Sequence, residues 1–207
     1  MSHPKPFTWS KPTPILIDIP EELVGPCVLV RPYRSGDGPA LYEAVEESRT
    51  HIEPWLPWGH HHKTVVDSEA CARRFHSNWV TREDMILSVW DRSTGRYLGG
   101  TGLHRANWDV PSFEIGYWLR KSAQGHGYMT ETVCLLMALA FDTLKANRVY
   151  IHCAVANVRS SSIPKRLGFV HEGTLRNQGR NLWGELYDVE VYSMTPGEWE
   201  LVSKVDV

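Results

Sequence analysis

The sequence predicts an α/β fold, a mixed and mostly antiparallel sheet flanked by helices. Three observations carry that expectation. Ser112 to Leu119 (SFEIGYWL) is rich in aromatic and β-branched residues and lies between Pro111 and Ser122, which marks a strand. Further on, Met129, Val133, Leu136, Met137, Ala140, Phe141 and Leu144 fall on one face of an amphipathic helix. Between the two lies a turn, Gln124-Gly125-His126-Gly127-Tyr128-Met129, and the helix is followed by a further strand, RVYIHCAV (Arg148 to Val155).

The remaining elements read in order. Residues 1–26 carry six prolines and form an extended arm, with Phe7, Trp9 and Ile15 to Ile19 as its means of packing on the body or on a dimer partner. Residues 27–207 make one domain, the natural outcome for a chain of 207 residues. Val28 to Tyr33 is the first strand and Asp37 to Glu47 a helix. Prolines 54 and 57 stop any helix from crossing the next stretch, Ser48 to Trp58, whose Trp55 and Trp58 offer an aromatic wall for a peptide or an apolar amine. The run Gly59 to Lys63 holds three adjacent histidines, which do not converge as ligands, and is expected as a solvated loop. Asp67 to Arg82 is a helix. Asp84 to Asp91 and Arg96 to His104 form a hairpin around Ser93-Thr94-Gly95. Phe169 to Arg176 and Leu186 to Met194 are closing antiparallel strands, joined by the loop Asn177 to Glu185, whose Asn177, Gln178, Arg180 and Asn181 are expected to border a binding site. A short helix begins near Gly197.

Composition narrows the function. The net charge is −2, with no long basic run, so a nucleic-acid footprint is not indicated. No apolar run reaches the roughly 18 residues of a membrane span, and the opening MSHPKPFTWSKP has no signal-peptide core. The four cysteines, Cys27, Cys71, Cys134 and Cys153, show no metal-ligand spacing and read as reduced, mostly buried thiols of a cytoplasmic protein. No metal is expected.

The glycine turn is where the chemistry starts. The first amides of a helix have no intrahelical partner, and the helix dipole adds positive charge, so a strand–turn–helix junction suits an anion. Gly125 and Gly127 carry no Cβ, which lets a phosphate approach the backbone. Neither the dinucleotide fingerprint nor the phosphate-loop lysine motif is present.

With Asn157-Val158-Arg159-Ser160 and Lys165-Arg166-Leu167-Gly168-Phe169 further on, the chain resembles the GNAT superfamily of acyl-coenzyme A-dependent N-acyltransferases from about Val28 to Met194. Its pyrophosphate pattern maps onto Gln124, Gly127 and Met129, and Asn157 stands eleven residues before Gly168-Phe169, as in the family. Met129 departs from the small residue usual there. The Ser48 to Trp58 segment and Ser160 resemble the ribosomal-protein N-terminal acetyltransferase branch.

The resemblance implies a sheet split to admit acetyl-CoA. Gln124, Gly125, His126, Gly127, Tyr128, Met129 and Thr130 would hold the pyrophosphate. The pantetheine arm would lie along Tyr117, Trp118 and Leu119, and Asn157 and Arg159 would complete the coenzyme site. The acceptor would be a primary amine, either a protein N-terminus or a small molecule, acetylated by direct transfer. A coenzyme A-binding module without catalysis and a nucleotide-binding protein of another fold are the rival readings.

Alternation along the strand puts Glu114, Gly116 and Trp118 on one face, opposite Phe113, Ile115, Tyr117 and Leu119. A carboxylate in so apolar a strand is costly without partners, which makes Glu114 the candidate base, acting directly or through water. The family's usual acid is a Tyr seven residues after the Asn. Here that position is Pro164, so Ser160 is the candidate for protonating the thiolate. Helix capping is the alternative role for Ser160 and Asn157.

Overall fold

A computed structural model describes residues 12–203. Eight strands form one sheet in the order β1-β2-β3-β4-β5-β6-β8-β7. They are β1 (Leu23–Val24), β2 (Val28–Pro32), β3 (Met85–Asp91), β4 (Tyr97–Asn107), β5 (Ser112–Leu119), β6 (Arg148–Ala154), β7 (Val170–Arg180) and β8 (Leu186–Met194). Every neighbouring pair is antiparallel except β5 with β6. The helices are α1 (Gly38–Ile52), α2 (Val65–Thr81), α3 (Tyr128–Ala138), α4 (Val158–Arg166) and α5 (Pro196–Val202). None of the described helices is long and apolar enough to cross a membrane.

The sheet separates two apolar clusters. Phe113 and Ile115 of β5 point to the α3 side, where Val133, Leu136 and Met137 are buried against them. Trp118 points to the other side and packs with Tyr33, Leu41, Val45 and Tyr97 beneath α1 and α2. The alternation read from β5 is therefore the alternation observed. Each fully buried Leu, Ile or Phe contributes about 1.5–3 kcal/mol through removal of its apolar surface from water.

Local chemistry sets most boundaries. α2 starts at Val65 because Thr64 and Asp67 form a capping box, and it stops where Arg82 turns left-handed at φ +61°. The helix read after the glycine turn begins at Tyr128, but from Leu139 to Thr143 it widens into a π turn.

Several expectations need correction. α1 does not end at Glu47. It runs on to Ile52, and the halt comes just before Pro54. Within residues 12–26, Ile17 and Ile19 pack on the core as expected, but Leu23 and Val24 leave the extended arm and join the sheet as β1. Phe7 and Trp9 lie outside the described residues. The histidine run is not a solvated loop. Pro57–His61 is a short 3₁₀ helix, and His62 is buried with its Nδ1 2.9 Å from Ser68 Oγ. Of the four thiols only Cys153 is buried; Cys71 and Cys134 are half-buried and Cys27 is exposed. β7 extends to Arg180, so the last hairpin loop is shorter than expected.

One polar cluster ties the helical layer to the turn ahead of α3. The Arg120 guanidinium, 2% exposed, pairs with Glu43 at 2.6 Å and with Glu47. Glu47 also accepts the Ser122 amide at 2.8 Å, and Ser48 Oγ accepts the Lys121 amide at 2.9 Å. Burial pushes the Glu47 carboxyl up, but hydrogen bonds from Arg120 and Ser122 outweigh it and hold the pKa down at about 2. A depressed carboxyl stabilises the fold above its unfolded pKa, and that contribution disappears as pH falls from about 4.5 to about 2. Glu47→Gln should therefore lower stability near neutrality by about 2 kcal/mol and flatten the acid limb in that window. Denaturant unfolding at a series of pH values reads both effects; an unchanged acid limb would show that the pair is idle.

Candidate active site

The site exists because β5 and β6 part. They pair in parallel only from Ser112–Glu114 to Arg148–Tyr150. Beyond that, β5 stays with β4 as far as Leu119, and β6 stays with β8 as far as Ala154. The edge of β5 from Ile115 to Leu119 is thereby left without a strand on the β6 side. A cavity of about 900 Å³ fills the gap, reaching from the glycine turn to Glu114 and His152.

At one end the turn is shaped for an anion. Gly125 and Gly127 have φ +83° and +82°. A Cβ built on either meets nothing within 4 Å, so conformation rather than crowding demands glycine here. Gly127 caps α3 without any side-chain cap, leaving the first amides and the dipole for a ligand. Met129 is 4% exposed and belongs to the core. Its side chain packs into the core beneath the turn, with part of the residue lining the cleft.

The turn is held on several sides. Tyr128 donates its hydroxyl to Asp91 Oδ2 at 3.0 Å, and Glu131 Oε1 accepts the amides of Cys27 and Val28 at 2.8 and 3.0 Å. His126 stacks on Tyr128. Arg159 Nη1 donates to Gln124 Oε1 at 3.0 Å, and Arg166 Nη1 donates to Thr130 Oγ1 at 2.9 Å. Two guanidinium groups thus flank the turn. The sequence reading included Arg159 but missed Arg166, although a seven-residue spacing places both on one face of α4.

Midway along the cleft, three neutral donors meet. Asn157 caps α4, its Oδ1 accepting the Ser160 amide at 3.2 Å. Ser160 is therefore not the cap, and its Oγ lies 3.3 Å from Cys153 Sγ and 3.4 Å from the Tyr117 hydroxyl. Tyr117 donates its own proton to the Ser160 carbonyl at 2.9 Å. Burial pushes both the Tyr117 phenol and the Cys153 thiol up, so both stay protonated near neutrality. Pro164 is buried within α4, and the phenol absent from that position comes instead from β5. Sequence reading used only the backbone of Tyr117, because alternation does not reveal what a side chain meets across a gap.

Glu114 sits at the far end, its side chain 15% exposed. Its Oε1 is 3.3 Å from His152 Nδ1 and its Oε2 is 3.2 Å from Arg105 Nε. The Arg105 contact is close but misaligned, since Oε2 is a buried oxygen without a hydrogen bond. His51, Trp55 and Leu56 form the opposite lip. Trp58 does not share that wall; it packs edge-on to Trp118 at 5.5 Å and lines a second cavity. Asn177, Gln178, Arg180 and Asn181 do not border the cleft, and β8 contributes Tyr187 and Val189 instead. Leu119 lines the cleft beside Tyr117 and Trp118.

Comparison with known proteins agrees with this geometry. The family model described as an acetyltransferase (GNAT) domain matches residues 28–170. YdaF of Bacillus subtilis (strain 168), whose name provisionally makes it a ribosomal N-acetyltransferase, is 38% identical over 106 residues, 51% of this chain and 57% of that protein. The ribosomal-protein-serine acetyltransferase of Escherichia coli (strain K12) is 26% identical over 160 residues, covering 74% of this chain and 84% of its own. Among solved structures, the RimL ribosomal L7/L12 alpha-N-protein acetyltransferase in complex with coenzyme A superposes with TM-score 0.79 at 20% identity over 84% of this chain and 98% of that one. The Microcin C7 self immunity acetyltransferase MccE in complex with acetyl-CoA and AMP gives TM-score 0.78 at 22% identity over 83% and 93%.

Gly127→Ala tests the turn. The left-handed φ should cost the variant about 1–2 kcal/mol of stability. The added methyl stands in the open space of the turn, so affinity for coenzyme A should fall more than tenfold in calorimetry. Unchanged affinity would place the anion elsewhere.

Proposed function

The chain belongs to the GNAT acetyltransferases, whose donor is acetyl-CoA, and we propose that it moves the acetyl group by direct transfer onto a protein N-terminal α-amine. The observation that carries the reading is the bare edge of β5 from Ile115 to Leu119, which leads from the glycine turn to Glu114. An extended pantetheine arm can add to such an edge as a strand would, hydrogen-bonding the backbone of Tyr117, Trp118 and Leu119. The pyrophosphate then rests on the amides of Gly125 to Thr130, between Arg159 and Arg166.

The arithmetic of the acceptor favours an α-amine. Neutralising one at pH 7 costs about 1.4 kcal/mol, against about 4.6 kcal/mol for a lysine. The names of YdaF and the E. coli relative point the same way. Glu114 assists the deprotonation by drawing in the amine in its charged form. Its buried, unbonded Oε2 is a site for an ammonium group or for the water that carries its proton away. Ser160 protonates the departing thiolate. Its Oγ–H donates a long bond, 3.4 Å, to the Tyr117 phenol oxygen, whose own proton goes to the Ser160 carbonyl, and turning from that weak acceptor brings it to the sulfur. The backbone of β5 near Tyr117 supplies the donor for the oxyanion.

Calorimetry with acetyl-CoA, coenzyme A and ATP is the first test. Micromolar binding of the two coenzyme forms and none of ATP is expected. Equal binding of ATP would instead favour a nucleotide-binding protein. Mass spectrometry of peptides beginning with Ser or Ala, beside polyamines and amino acids, then reads the acceptor; modification of the small amines alone would replace the protein N-terminus as substrate. Coenzyme binding with no transfer to any of them would leave a binding module.

Two variants test the residues. Glu114→Gln should reduce kcat/KM for the amine at least tenfold and alter the pH profile, with coenzyme affinity intact. An unchanged rate and profile removes Glu114 from the chemistry. Ser160→Ala should lower turnover about 10- to 100-fold without weakening coenzyme binding, whereas an equal loss of stability points to a packing role.

A further inference from the structure

On the other face of β5, away from the glycine turn, lies a second cavity of about 360 Å³. Tyr33, Phe75, Trp58 and Trp118 wall it, and Gly116, Tyr117, Trp118 and Leu56 border it and the coenzyme cleft alike. The two spaces therefore meet at the middle of β5, where the thioester would lie. His104 and Asp84 stand in the wall of this cavity.

His104 is placed there by the sheet. In the β4–β5 ladder His104 faces Glu114, and Gly102 faces Gly116. The two glycines leave the sheet bare, and the imidazole lies over both. A Cβ on Gly102 would come within 2.9 Å of Nε2, and a Cβ on Gly116 within 3.0 Å of the same atom. At the other side of the ring, Nδ1 is 2.7 Å from Asp84 Oδ1. In the neutral imidazole, that bond places the proton on Nδ1 and leaves the lone pair on Nε2. Nε2 makes no hydrogen bond among the described residues, and it lies over the backbone of Gly116. The charged and titratable groups around the ring are Asp84 from the α2–β3 connection, Glu114 from β5 and His62 from beyond the 3₁₀ turn. Arg105 and His152 reach it only through Glu114.

We propose that His104, oriented by Asp84, is the general base that takes the acceptor's proton, with the aromatic cavity beside it holding the residue that bears the amine. This rests on acetyl transfer to an amine as set out above. The amine nitrogen forms the C–N bond to the thioester carbonyl carbon, and its proton passes to Nε2. The C–S bond then breaks, sulfur leaves with the electron pair, and the thiolate takes the Ser160 hydroxyl proton. The imidazolium proton returns to Ser160 through solvent, so the products are the amide and the free thiol. Glu114, across the ladder, stabilises the transient imidazolium and draws in the ammonium form. The walls favour an acceptor with an aromatic or large apolar side chain next to its amine.

The test uses the full chain, with His104→Ala, Asp84→Asn and the wild type assayed in two reactions. One is acetyl transfer to peptides beginning with Ser, Ala, Met or Phe. The other is slow hydrolysis of acetyl-CoA, in which water replaces the amine. His104→Ala should lose at least 100-fold in kcat/KM for both reactions, keep its coenzyme affinity, and regain activity with added imidazole. Asp84→Asn should show a smaller loss that imidazole does not restore. A His104→Ala enzyme of wild-type rate, or one whose loss follows its coenzyme affinity or melting temperature and resists imidazole, overturns the proposal. Should the peptides go unmodified while hydrolysis still depends on His104, the acceptor assignment fails and the base stands. A wild type that does neither reaction overturns both.

Discussion

Two neighbouring parallel strands that pair over only three residues determine what this protein can do. Backbone amides and carbonyls are obligatory hydrogen-bonding groups, and a strand edge in the middle of a sheet does not normally go unpaired. β5 and β6 part because each follows a stronger antiparallel neighbour, β4 on one side and β8 on the other. The bare edge runs for five residues, Ile115 to Leu119, and a ligand with its own amides is the natural partner. The Arg120 cluster and the anchors of α3 then place the glycine turn at the end of that edge.

What the sequence revealed and what it hid follow one physical division. Local signals survived folding. SFEIGYWL is a strand with the alternation expected, Gly125 and Gly127 are left-handed as a turn at a helix start requires, and Thr64 with Asp67 opens α2. The resemblance pointed to the glycine turn ahead of α3, and Met129, which departs from the family pattern there, lies in the core. Contacts between residues far apart in the chain were hidden. Tyr117 meets Ser160 across 43 positions, and Arg166 meets Thr130 across 36. The helical signal of α1 continued through Ser48 to Ile52 because Ser48 and Ile52 are buried, which composition alone does not show.

The donor cluster illustrates how chemistry can outlive the loss of a residue type. Pro164 removes a phenol from α4, yet the cleft still holds one, supplied by Tyr117 from the facing strand. Pro164 is tolerated because it lies late in a short helix. Ser160 Oγ lies 3.3 Å from Cys153 Sγ and 3.4 Å from the Tyr117 hydroxyl along the cleft wall, and burial keeps both the phenol and the thiol protonated. A thiolate leaving nearby meets proton donors.

The glycines of β4 and β5 show a constraint of the opposite kind. Glycine inside a strand costs roughly 0.5–1 kcal/mol relative to alanine, and Gly100, Gly102 and Gly116 all lie in ladders on one sheet face. None of the three has the positive φ that would require glycine. What they share is a ring lying on them: a Cβ on Gly100 would come within 2.7 Å of the Trp118 indole, and Cβ atoms on Gly102 and Gly116 would press into His104. Removing side chains from the sheet lets aromatic and imidazole rings lie flat where the two cavities meet. Packing alone would be better served by alanine or valine with smaller rings above. The fold accepts weaker strands here because the opposite face of the same strands carries Leu103, Phe113 and Ile115, all fully buried. The larger apolar cluster lies on the α3 side of the sheet, and the second cavity opens beside the smaller cluster on the α1–α2 side.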